Sequence, residues 1–470
     1  MSDLSAVILA AGLGTRMKSS LPKVLHPIAG RPLIEYPVRA ALALGAERVV
    51  VVTSGHPQID ELLAKVFGDR VVTVRQDPPR GTGDAARVGV ERVETAHVLI
   101  LCGDTPLVGT EELEAVVAAS REAELAVGVA ELPEPHGYGR VLTAADGRVL
   151  EIREQKDLRS DAERAVRLVN AGIYAGSTAK VRAALTGLTP NNAQNEYYLT
   201  DIVATLGATG RVVAARGPAA ALVGVNDRSQ LVEAEELLFA AIRARLGREG
   251  VAVRGDARID ASVTVARDAE IEAGVRLRGA TSVGEGAFID VGCVIVDSTI
   301  AARALLKPYS IVTASRVGEG AQIGPFAHLR PDSEIEADAH IGNFVETKKT
   351  RVRRGAKANH LSYLGDGDIG EGANVGAGTI FCNYDGFQKH RTVIGAGAFI
   401  GSDSQIVAPV TVGKGAFVAS GTSVTEDVPD DALAIGRARQ INKAGRGAQL
   451  RERLSASARE AKAAAAKKSG

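Results

Sequence analysis

Residues 253–295 read VRGDARIDASVTVARDAEIEAGVRLRGATSVGEGAFIDVGCVI, and every sixth residue in this stretch is aliphatic. The register comprises Val253, Ile259, Val265, Ile271, Leu277, Val283, Ile289 and Ile295. An α-helix repeats about every 3.6 residues and a strand every two, so neither gives this spacing, whereas a coil that places one six-residue rung on each flat face does. The register therefore predicts a parallel β-helix.

The same spacing returns twice further along the chain. It is carried by Ile311, Val317, Ile323, Leu329, Ile335 and Ile341, and then by Ile394, Ile400, Ile406, Val412, Val418 and Val424. About half of the chain is therefore one solenoid. Such a coil buries a thin aliphatic stack, so its chemistry is expected on the outer faces or where the repeat is interrupted.

Composition narrows the possible partners and the compartment. The 56 basic and 56 acidic residues balance, so no net charge attracts nucleic acid or a membrane surface. Cys102, Cys293 and Cys382 form no CxxC pair and no disulfide framework, as is typical of a reducing compartment. No apolar stretch reaches the roughly 18 residues of a membrane span, and no basic segment precedes a short apolar run at the start. We expect a soluble, cytoplasmic protein without nucleic-acid or membrane partners.

The first half of the chain alternates short apolar strands with amphipathic helices, which predicts an α/β domain with a mostly parallel sheet. Predicted strands are 6–9, 48–53, 71–75 and 97–101, and predicted helices are 33–44, 58–67 and 111–121. Strands 125–131, 140–143 and 168–174 follow more closely and indicate hairpins or an added β subdomain. We predict domains at 1–227 and 250–437, a linker helix at 228–249, and a frayed helical or disordered tail at 438–470.

A glycine-rich turn follows the first predicted strand. The segment from Ala10 to Met17 reads AAGLGTRM, and Lys23 follows it. Met17 stands where a GxGxxG dinucleotide fingerprint needs glycine, and no Walker A motif can be aligned. Two interpretations remain open. The turn either reverses the chain, or its amides hold a phosphate whose charge Arg16 and Lys23 complement.

The motifs of this half resemble those of the sugar-1-phosphate nucleotidylyltransferases, which fold as a doubly wound, Rossmann-like domain. The motifs are LAAGLGTRM, PKVL, Gln76 with GTG at 81–83, CGD at 102–104, GYGR at 137–140, NAG at 170–172 and GVN at 224–226. The resemblance implies Arg16 and Lys23 as catalytic residues. It implies substrate contacts from Leu9, Ala10, Ala11, Gly12, Lys23, Gln76, Gly81, Thr82, Gly139, Glu154, Asn170 and Asn226.

The resemblance also implies that Asp104 and Asn226 bind Mg²⁺, an ion that prefers oxygen ligands from one or two side chains and substrate phosphates. By itself, an aspartate before Pro106 is more typical of a helix N-cap. Cys102 departs from the tyrosine that the uridylyltransferases usually carry there.

The repeat is interrupted twice in the second half. Polar residues crowd 342–349 and 358–366, and residues 381–391 are too many for one rung, which predicts a projecting loop. Functional residues concentrate on loops that a rigid scaffold holds. His360 lies in the polar stretch, and a histidine whose pKa is near neutral suits a general base. A lone histidine is more often a surface residue.

Hexapeptide coils resemble the left-handed β-helix acyltransferases, which are trimers that bind acyl-CoA. The segments NFVETKK, NHLSYLGD, NVGAGTIFCNYDG and IGSDSQIVAPV resemble one family closely, the bifunctional N-acetylglucosamine-1-phosphate uridylyltransferases and glucosamine-1-phosphate acetyltransferases. The resemblance implies His360 as the general base. It implies sugar-phosphate contacts from Arg330, Lys348, Tyr363 and Asn374, and acetyl-CoA contacts from Ala377, Asn383, Tyr384, Ser402, Ser420 and Arg437. Ser420 departs from the alanine expected there.

The combined motifs imply a Mg²⁺-dependent homotrimer that uses acetyl-CoA and UTP to make UDP-N-acetylglucosamine for cell-wall synthesis. Two other functions remain open. The coil of a nucleotidylyltransferase can serve assembly or regulation only, and a sugar-nucleotide sensor need not catalyse any reaction.

Overall fold

A computed structural model describes residues 3–12, 14–222 and 224–468 of the chain. Leu13 of the glycine-rich motif lies outside the described residues. The chain divides into two compact units, residues 1–313 and 314–470. Within the described ranges, none of the helices combines the length and the hydropathy that crossing a membrane requires.

The first unit opens with a mixed α/β sheet. Across the sheet its main strands are, in spatial order, Val212–Arg216, Leu125–Glu131, Leu168–Ser177, His97–Cys102, Leu4–Ala10, Arg48–Thr53 and Val71–Arg75. Leu4–Ala10 is parallel to both of its neighbours, but Leu168–Ser177 is antiparallel to both of its own. The strands Arg140–Thr143 and Val149–Arg153 form an antiparallel hairpin. It joins the sheet where Arg140 pairs with Val169 of the strand Leu168–Ser177. Most of the main strands are therefore parallel, as predicted, and the reversed strand Leu168–Ser177 makes the sheet mixed.

Helices cover both faces of this sheet. They are Glu35–Ala43, Pro57–Phe67, Thr82–Val90, Thr110–Ala119, Asp161–Arg164, Thr178–Thr186, Asp201–Gly207 and Ala219–Leu222. Side chains of a strand alternate between the faces, so Ala6 and Ile8 lie in one apolar core and Val7 in the other. The doubly wound fold is confirmed. Leu9 pairs with Cys102, so the glycine-rich turn and Asp104 leave the sheet at the same edge.

A single long helix, Arg228–Arg248, follows the sheet. The side chain of Asp227 caps it by accepting a hydrogen bond from the backbone N–H of Gln230 at 2.9 Å. Leu231 and Ala234 of this helix pack against Met17, Ile28, Leu33 and Val225. The helix therefore joins the apolar core beneath the glycine-rich segment.

The coil begins in the first unit directly after this helix. Its strands there are Ala252–Val253, Arg258–Ile259, Thr264–Val265, Glu270–Ile271, Arg276–Arg278, Ser282–Val283, Phe288–Ile289, Val294–Val296, Thr299–Ile300, Leu305–Leu306 and Ile311–Thr313. Each strand from Ala252–Val253 to Val294–Val296 pairs in parallel with the third strand after it. Ile259 pairs with Leu277, which pairs with Ile295, and all three side chains are buried. Three six-residue rungs therefore make one turn.

The second unit consists mainly of a coil of the same kind. Its strands are Arg316–Val317, Gln322–Ile323, His328–Leu329, Glu334–Ile335, His340–Asn343, Glu346–Lys348, Arg351–Val352, Lys357–His360, Tyr363–Gly365, Gly367–Ile369, Asn374–Val375, Ile380–Cys382, Thr392–Ile394, Phe399–Ile400, Gln405–Val407, Val410–Val412, Phe417–Val418, Ser423–Val424 and Leu433–Ala434. These stacked parallel strands agree with the predicted left-handed β-helix. A helix, Arg446–Lys468, ends the described chain, and its side chains through residue 465 are exposed.

Two predictions about the repeat were wrong in detail. Ile311 is 41% exposed and Val312 is buried, because the buried positions are five residues apart from Val312 to Val317, where the predicted register assumed six. The polar stretch 342–366 does not interrupt the coil, because Thr347 and Leu364 fill interior positions of regular rungs. The loop predicted at 381–391 does project, between strands Ile380–Cys382 and Thr392–Ile394.

Candidate active sites

A cavity of about 230 Å³ opens at the edge of the sheet in the first unit. Its lining includes eight of the predicted site residues, namely Leu9, Arg16, Thr82, Asp104, Gly139, Glu154, Asn170 and Asn226. The remaining predicted residues of this half, Ala10, Ala11, Gly12, Lys23, Gln76 and Gly81, are not part of the lining. Segments that are far apart in sequence are therefore brought together here, at the strand ends where open α/β sheets bind ligands.

The two predicted metal ligands are neighbours, and each contacts a predicted catalytic cation. The backbone N–H of Val225 donates to the carbonyl of Asp104 at 2.8 Å, which holds the segment containing Asn226 beside Asp104. The ammonium of Lys23 forms an ion pair with the carboxylate of Asp104. The guanidinium of Arg16 donates to Oδ1 of Asn226 at 2.8 Å. Two cations and two oxygen ligands thus form one cluster.

This cluster fits a magnesium ion. Gly224 faces the carboxylate of Asp104, and a Cβ at residue 224 would lie 2.9 Å from Oδ1, so glycine keeps the space beside that oxygen open. Within the described part of the chain, no group of three or more His, Cys, Asp or Glu side chains forms a metal cluster. A carboxylate and an amide oxygen are the sparse protein ligand set that Mg²⁺ takes when substrate phosphates complete its coordination.

Side-chain hydrogen bonds hold the segment that contains the predicted substrate contacts Gln76 and Gly81. The side-chain amide of Gln76 donates to the carbonyl of Gly81 at 3.1 Å and to the carboxylate of Asp84 at 2.9 Å. Gly81 has φ +107°, and a Cβ there would lie 2.5 Å from the carbonyl oxygen of Tyr197, so both the backbone and the available space require glycine. Gln76 therefore fixes the turn that leads to Thr82 in the cavity wall.

Burial raises the pKa of several cavity groups. It raises the pKa of the Glu154 carboxyl, and the negative charges of Asp157 and Asp201 add to this increase. It also raises the pKa of the Cys102 thiol to about 12, with a further contribution from Asp104. Cys102 is therefore a neutral thiol at physiological pH, without the thiolate character of a nucleophile.

In the second unit, His360 ends the strand Lys357–His360 and is exposed. It is in register with Asn343 on the preceding turn, and Nδ1 of His360 lies 2.9 Å from Oδ1 of Asn343. An amide oxygen only accepts hydrogen bonds, so Nδ1 carries the hydrogen and Nε2 keeps its lone pair. The sequence did not single out Asn343, although it belongs to the NFVETKK segment.

Several predicted acetyl-CoA residues share a corner of the coil with His360. Asn343, His360, Ala377, Ser402 and Ser420 each directly precede a residue with positive φ at this corner, and we call them the corner column. Backbone hydrogen bonds connect its successive turns, for example from Asp403 N–H to the Ala377 carbonyl at 2.7 Å. Arg437 lies next to the last turn, beside Gly421. The column thus aligns the predicted base with predicted acetyl-CoA contacts.

A cationic group lies on the adjoining face. Arg330 donates to the carboxylate of Glu346 at 2.6 Å, and Glu346 pairs with Tyr363 on the next turn. Lys348 lies against Lys389 of the projecting loop, and this contact, with smaller contributions from Arg330 and Lys349, lowers the pKa of Lys348. Two adjacent ammonium groups are typical of an anion-binding site. Lys389 was not among the residues predicted from the sequence.

The remaining predicted residues are held within the coil and its loop. The side-chain amide of Asn383 donates to the carboxylate of Asp366 at 2.6 Å, and the hydroxyl of Tyr384 donates to the carbonyl of Gly386 at 2.6 Å. Asn374 lies on the strand beside that of His360, paired with Lys357. A cavity of about 440 Å³ lies beneath the loop, and none of the predicted site residues lines it. The predicted site is therefore an open surface in the single chain.

Comparisons with known proteins agree with both halves. A MobA-like NTP transferase domain matches residues 6–185, and the six-repeat bacterial transferase hexapeptide family matches residues 314–349 and 391–426. The bifunctional GlmU protein of Sorangium cellulosum is 57% identical over 470 residues, which cover 98% of this chain and 99% of that protein. The bifunctional GlmU protein of Trichlorobacter lovleyi is 45% identical over 460 residues, covering 95% and 98%.

Similarity at this level spans both units of the chain. The bifunctional GlmU protein of Methylococcus capsulatus is 44% identical over 450 residues, which cover 94% of this chain and 97% of that protein. The family predicted from the two sets of motifs is confirmed, because chains this similar over nearly their whole length share a common fold and ancestry. The chain belongs to the family of bifunctional GlmU proteins.

Proposed function

We propose that the chain catalyses two successive transfers that make UDP-N-acetylglucosamine. Acetyl transfer from acetyl-CoA to glucosamine 1-phosphate takes place at the corner column. Uridylyl transfer from UTP to the resulting N-acetylglucosamine 1-phosphate takes place in the cavity of the first unit. The observation that carries this proposal is that residues from distant motifs assemble into two separate clusters, one around Asp104 and one around His360.

In the acetyl transfer, His360 acts as general base. Asn343 holds the hydrogen on Nδ1, so Nε2 is free to take a proton from the amine of glucosamine 1-phosphate. The amine nitrogen forms a bond to the thioester carbonyl carbon, and the carbon–sulfur bond breaks. The proton taken by Nε2 of His360 passes to the departing sulfur, so coenzyme A leaves as its thiol. Lys348, Lys389 and Arg330 bind the sugar phosphate, and exposed Ser402 and Ser420 extend the site for acetyl-CoA.

In the uridylyl transfer, a phosphate oxygen of N-acetylglucosamine 1-phosphate attacks the α-phosphorus of UTP. A new P–O bond forms, the bond to the β-phosphate breaks, and pyrophosphate leaves. The attacking oxygen is already anionic, so this step needs positioning and charge neutralisation without a general base. Arg16 and Lys23 supply positive charge beside the cavity. Asp104 and Asn226 would hold Mg²⁺, a group that supplies further neutralising charge to the triphosphate when it is bound.

The lowered pKa of Lys348 gives a testable pH dependence. We expect the KM for glucosamine 1-phosphate to rise with pH below the ordinary lysine value of 10.5, because Lys348 loses its charge early. Lys389→Met removes one of the charges that bind the phosphate, so we expect a higher KM at neutral pH. It also removes the charge that lowers the pKa of Lys348, so the increase of KM with pH is expected to begin at a higher pH. The measurement is KM for acetyl transfer against pH in both proteins. Superimposable profiles would contradict this assignment.

We propose that three copies of the chain assemble as a homotrimer. Other copies of the chain would pack against a row of apolar side chains on the second unit, which we call the apolar ladder. The ladder consists of Phe326, Phe344 and Leu361, which occupy one corner with φ of +53°, +56° and +47° and are 48%, 55% and 60% exposed. Left-handed backbone costs an ordinary L-residue about 1–2 kcal/mol. Large apolar side chains at such positions, exposed in the single chain, are typical of an interface.

Phe344→Asp is expected to convert the trimer into smaller species and to abolish acetyl transfer while uridylyl transfer continues. Aspartate tolerates positive φ, as Asp332 and Asp338 do at other corners, so this substitution relieves local strain while placing charge in the interface. Light scattering coupled to gel filtration measures the mass. A variant that keeps the mass of the wild-type protein would refute the ladder as the interface.

The proposed compartment is the cytoplasm. Three free cysteines, Cys102, Cys293 and Cys382, agree with a reducing environment. UTP and acetyl-CoA, the proposed co-substrates, are also intracellular metabolites. By the family resemblance, the product would feed cell-wall precursor synthesis.

Two separate assays on the purified full chain test the proposal. One follows thiol release from acetyl-CoA with glucosamine 1-phosphate, and the other follows pyrophosphate release from UTP with N-acetylglucosamine 1-phosphate. We expect activity in both. Pyrophosphate release without thiol release would favour a coil that serves assembly only, and substrate binding without either release would favour a sensor.

A further inference from the structure

A tyrosine that the sequence analysis did not single out lies in the wall of the uridylyl-transfer cavity. Tyr174 belongs to the strand Leu168–Ser177, is 1% exposed, and is part of the cavity lining. A buried phenol needs a hydrogen-bond partner for its hydroxyl group. Here that partner is Asn170, one of the residues to which the family resemblance assigns contact with the sugar.

The side chain of Asn170 is held at both ends. The backbone N–H of Gly172 donates to its Oδ1 at 3.0 Å, and its Nδ2 donates to the hydroxyl oxygen of Tyr174 at 2.7 Å. The backbone of Asn170 is also fixed, because its N–H donates to the carbonyl of Gly139 at 2.9 Å. A primary amide carries two N–H hydrogens, so one remains for a ligand.

The hydrogen bonds to Gly172 and Tyr174 fix the orientation of the Asn170 amide, and so determine that a ligand meets its N–H rather than its oxygen. With Oδ1 engaged by Gly172, rotation of the amide by half a turn would place its NH₂ group against a backbone N–H. Tyr174 adds a second restraint from the opposite side. Burial raises the pKa of Tyr174 well above its usual value, with Glu154 contributing, so the hydroxyl stays neutral.

We propose that Tyr174 is a positioning residue that orients the amide of Asn170, so that its free N–H meets a hydrogen-bond acceptor on the sugar phosphate. This inference rests on the proposed uridylyl transfer and deepens it. The acceptor class is a hydroxyl or carbonyl oxygen of the sugar. Tyr174 itself acts through Asn170.

The test is a double-mutant cycle of Tyr174→Phe and Asn170→Ala in the full chain. Tyr174→Phe is expected to raise the KM for N-acetylglucosamine 1-phosphate about tenfold, the effect of one hydrogen bond, with kcat nearly unchanged. In the Asn170→Ala background the same substitution is expected to change KM little, because the group it positions is gone. Acetyl transfer by each variant reports on folding.

Tyr36→Phe is the matched control. Its hydroxyl also makes one hydrogen bond, to the carbonyl of Ile28 at 2.7 Å, but Tyr36 is not part of the cavity lining. It is expected to leave KM unchanged. The inference is overturned if Tyr174→Phe leaves KM unchanged, or if it raises KM equally with and without Asn170.

Calorimetric titration of UDP-N-acetylglucosamine separates this inference from the proposed function. A wild-type chain that binds the nucleotide sugar without turning over would contradict the proposed function alone, and tenfold weaker binding by Tyr174→Phe would still support the inference. A wild-type chain that does not bind the nucleotide sugar would overturn both.

Discussion

Replacing His360 by alanine is expected to lower kcat for acetyl transfer by about 10²- to 10⁴-fold, the usual contribution of a general base. Uridylyl transfer by the same chain is expected to continue at the wild-type rate. The reason is geometric. Nδ1 of His360 is engaged by Asn343, so Nε2 is the ring nitrogen that remains available to a substrate amine. Initial rates of thiol release and pyrophosphate release measure the two effects separately.

His340→Ala is the matched control for this prediction. His340 lies on the strand His340–Asn343, next to that of His360 and in register with Lys357, outside the corner column. We expect both activities to persist in this variant. If His360→Ala retains acetyl transfer at the wild-type rate, the coil does not use this histidine as a base, and the assembly-only function of the coil becomes the better account.

Replacing Asp104 by asparagine is expected to lower kcat for pyrophosphate release by about 10²- to 10³-fold, as is typical when one preorganised charge is removed from a transition state. Asparagine keeps the shape of the side chain beside Gly224 but removes the charge that pairs with Lys23. Acetyl transfer is expected to remain unchanged. The rate should be measured over a series of Mg²⁺ concentrations, because a weakened site requires more of the ion.

Asp69→Asn gives the matched control, since Asp69 is an exposed aspartate of the same unit in the short turn Gly68–Arg70. This variant is expected to keep both activities. Wild-type pyrophosphate release from Asp104→Asn would remove Asp104 from the site. The N-cap interpretation is not a remaining alternative, because the following helix, Thr110–Ala119, has Gly109 at its N-cap.

The fold was predictable where one physical requirement repeats. A six-residue rung must place one aliphatic side chain inside, so Ile259, Leu277 and Ile295 revealed the coil. Prediction failed at Ile311, because one shortened corner shifts the register without changing the composition. It failed again at Thr347, because its hydroxyl bonds to Ser333 inside the coil at 2.8 Å and so allows a polar residue in the interior.

The candidate sites show a similar limit. Residues inside recognisable motifs, such as Asp104 and His360, were identified from their neighbours in sequence. Asn343, Tyr174 and Lys389 were missed because the role proposed for each depends on a contact formed by folding, across a turn of the coil, along a strand, or from a loop. Hydrogen bonds between such positions leave no local pattern in one sequence.

A one-vessel reaction tests the central claim most directly, namely that one chain carries two independent active sites in successive steps. Glucosamine 1-phosphate, acetyl-CoA, UTP and Mg²⁺ are mixed with wild-type protein, His360→Ala, Asp104→Asn, or an equal mixture of the two variants, and the products are followed by mass spectrometry. We expect UDP-N-acetylglucosamine from wild type and from the mixture, no acetylated product from His360→Ala, and accumulated N-acetylglucosamine 1-phosphate from Asp104→Asn. Loss of both activities in either single variant, or a mixture that makes no UDP-N-acetylglucosamine, would contradict the claim.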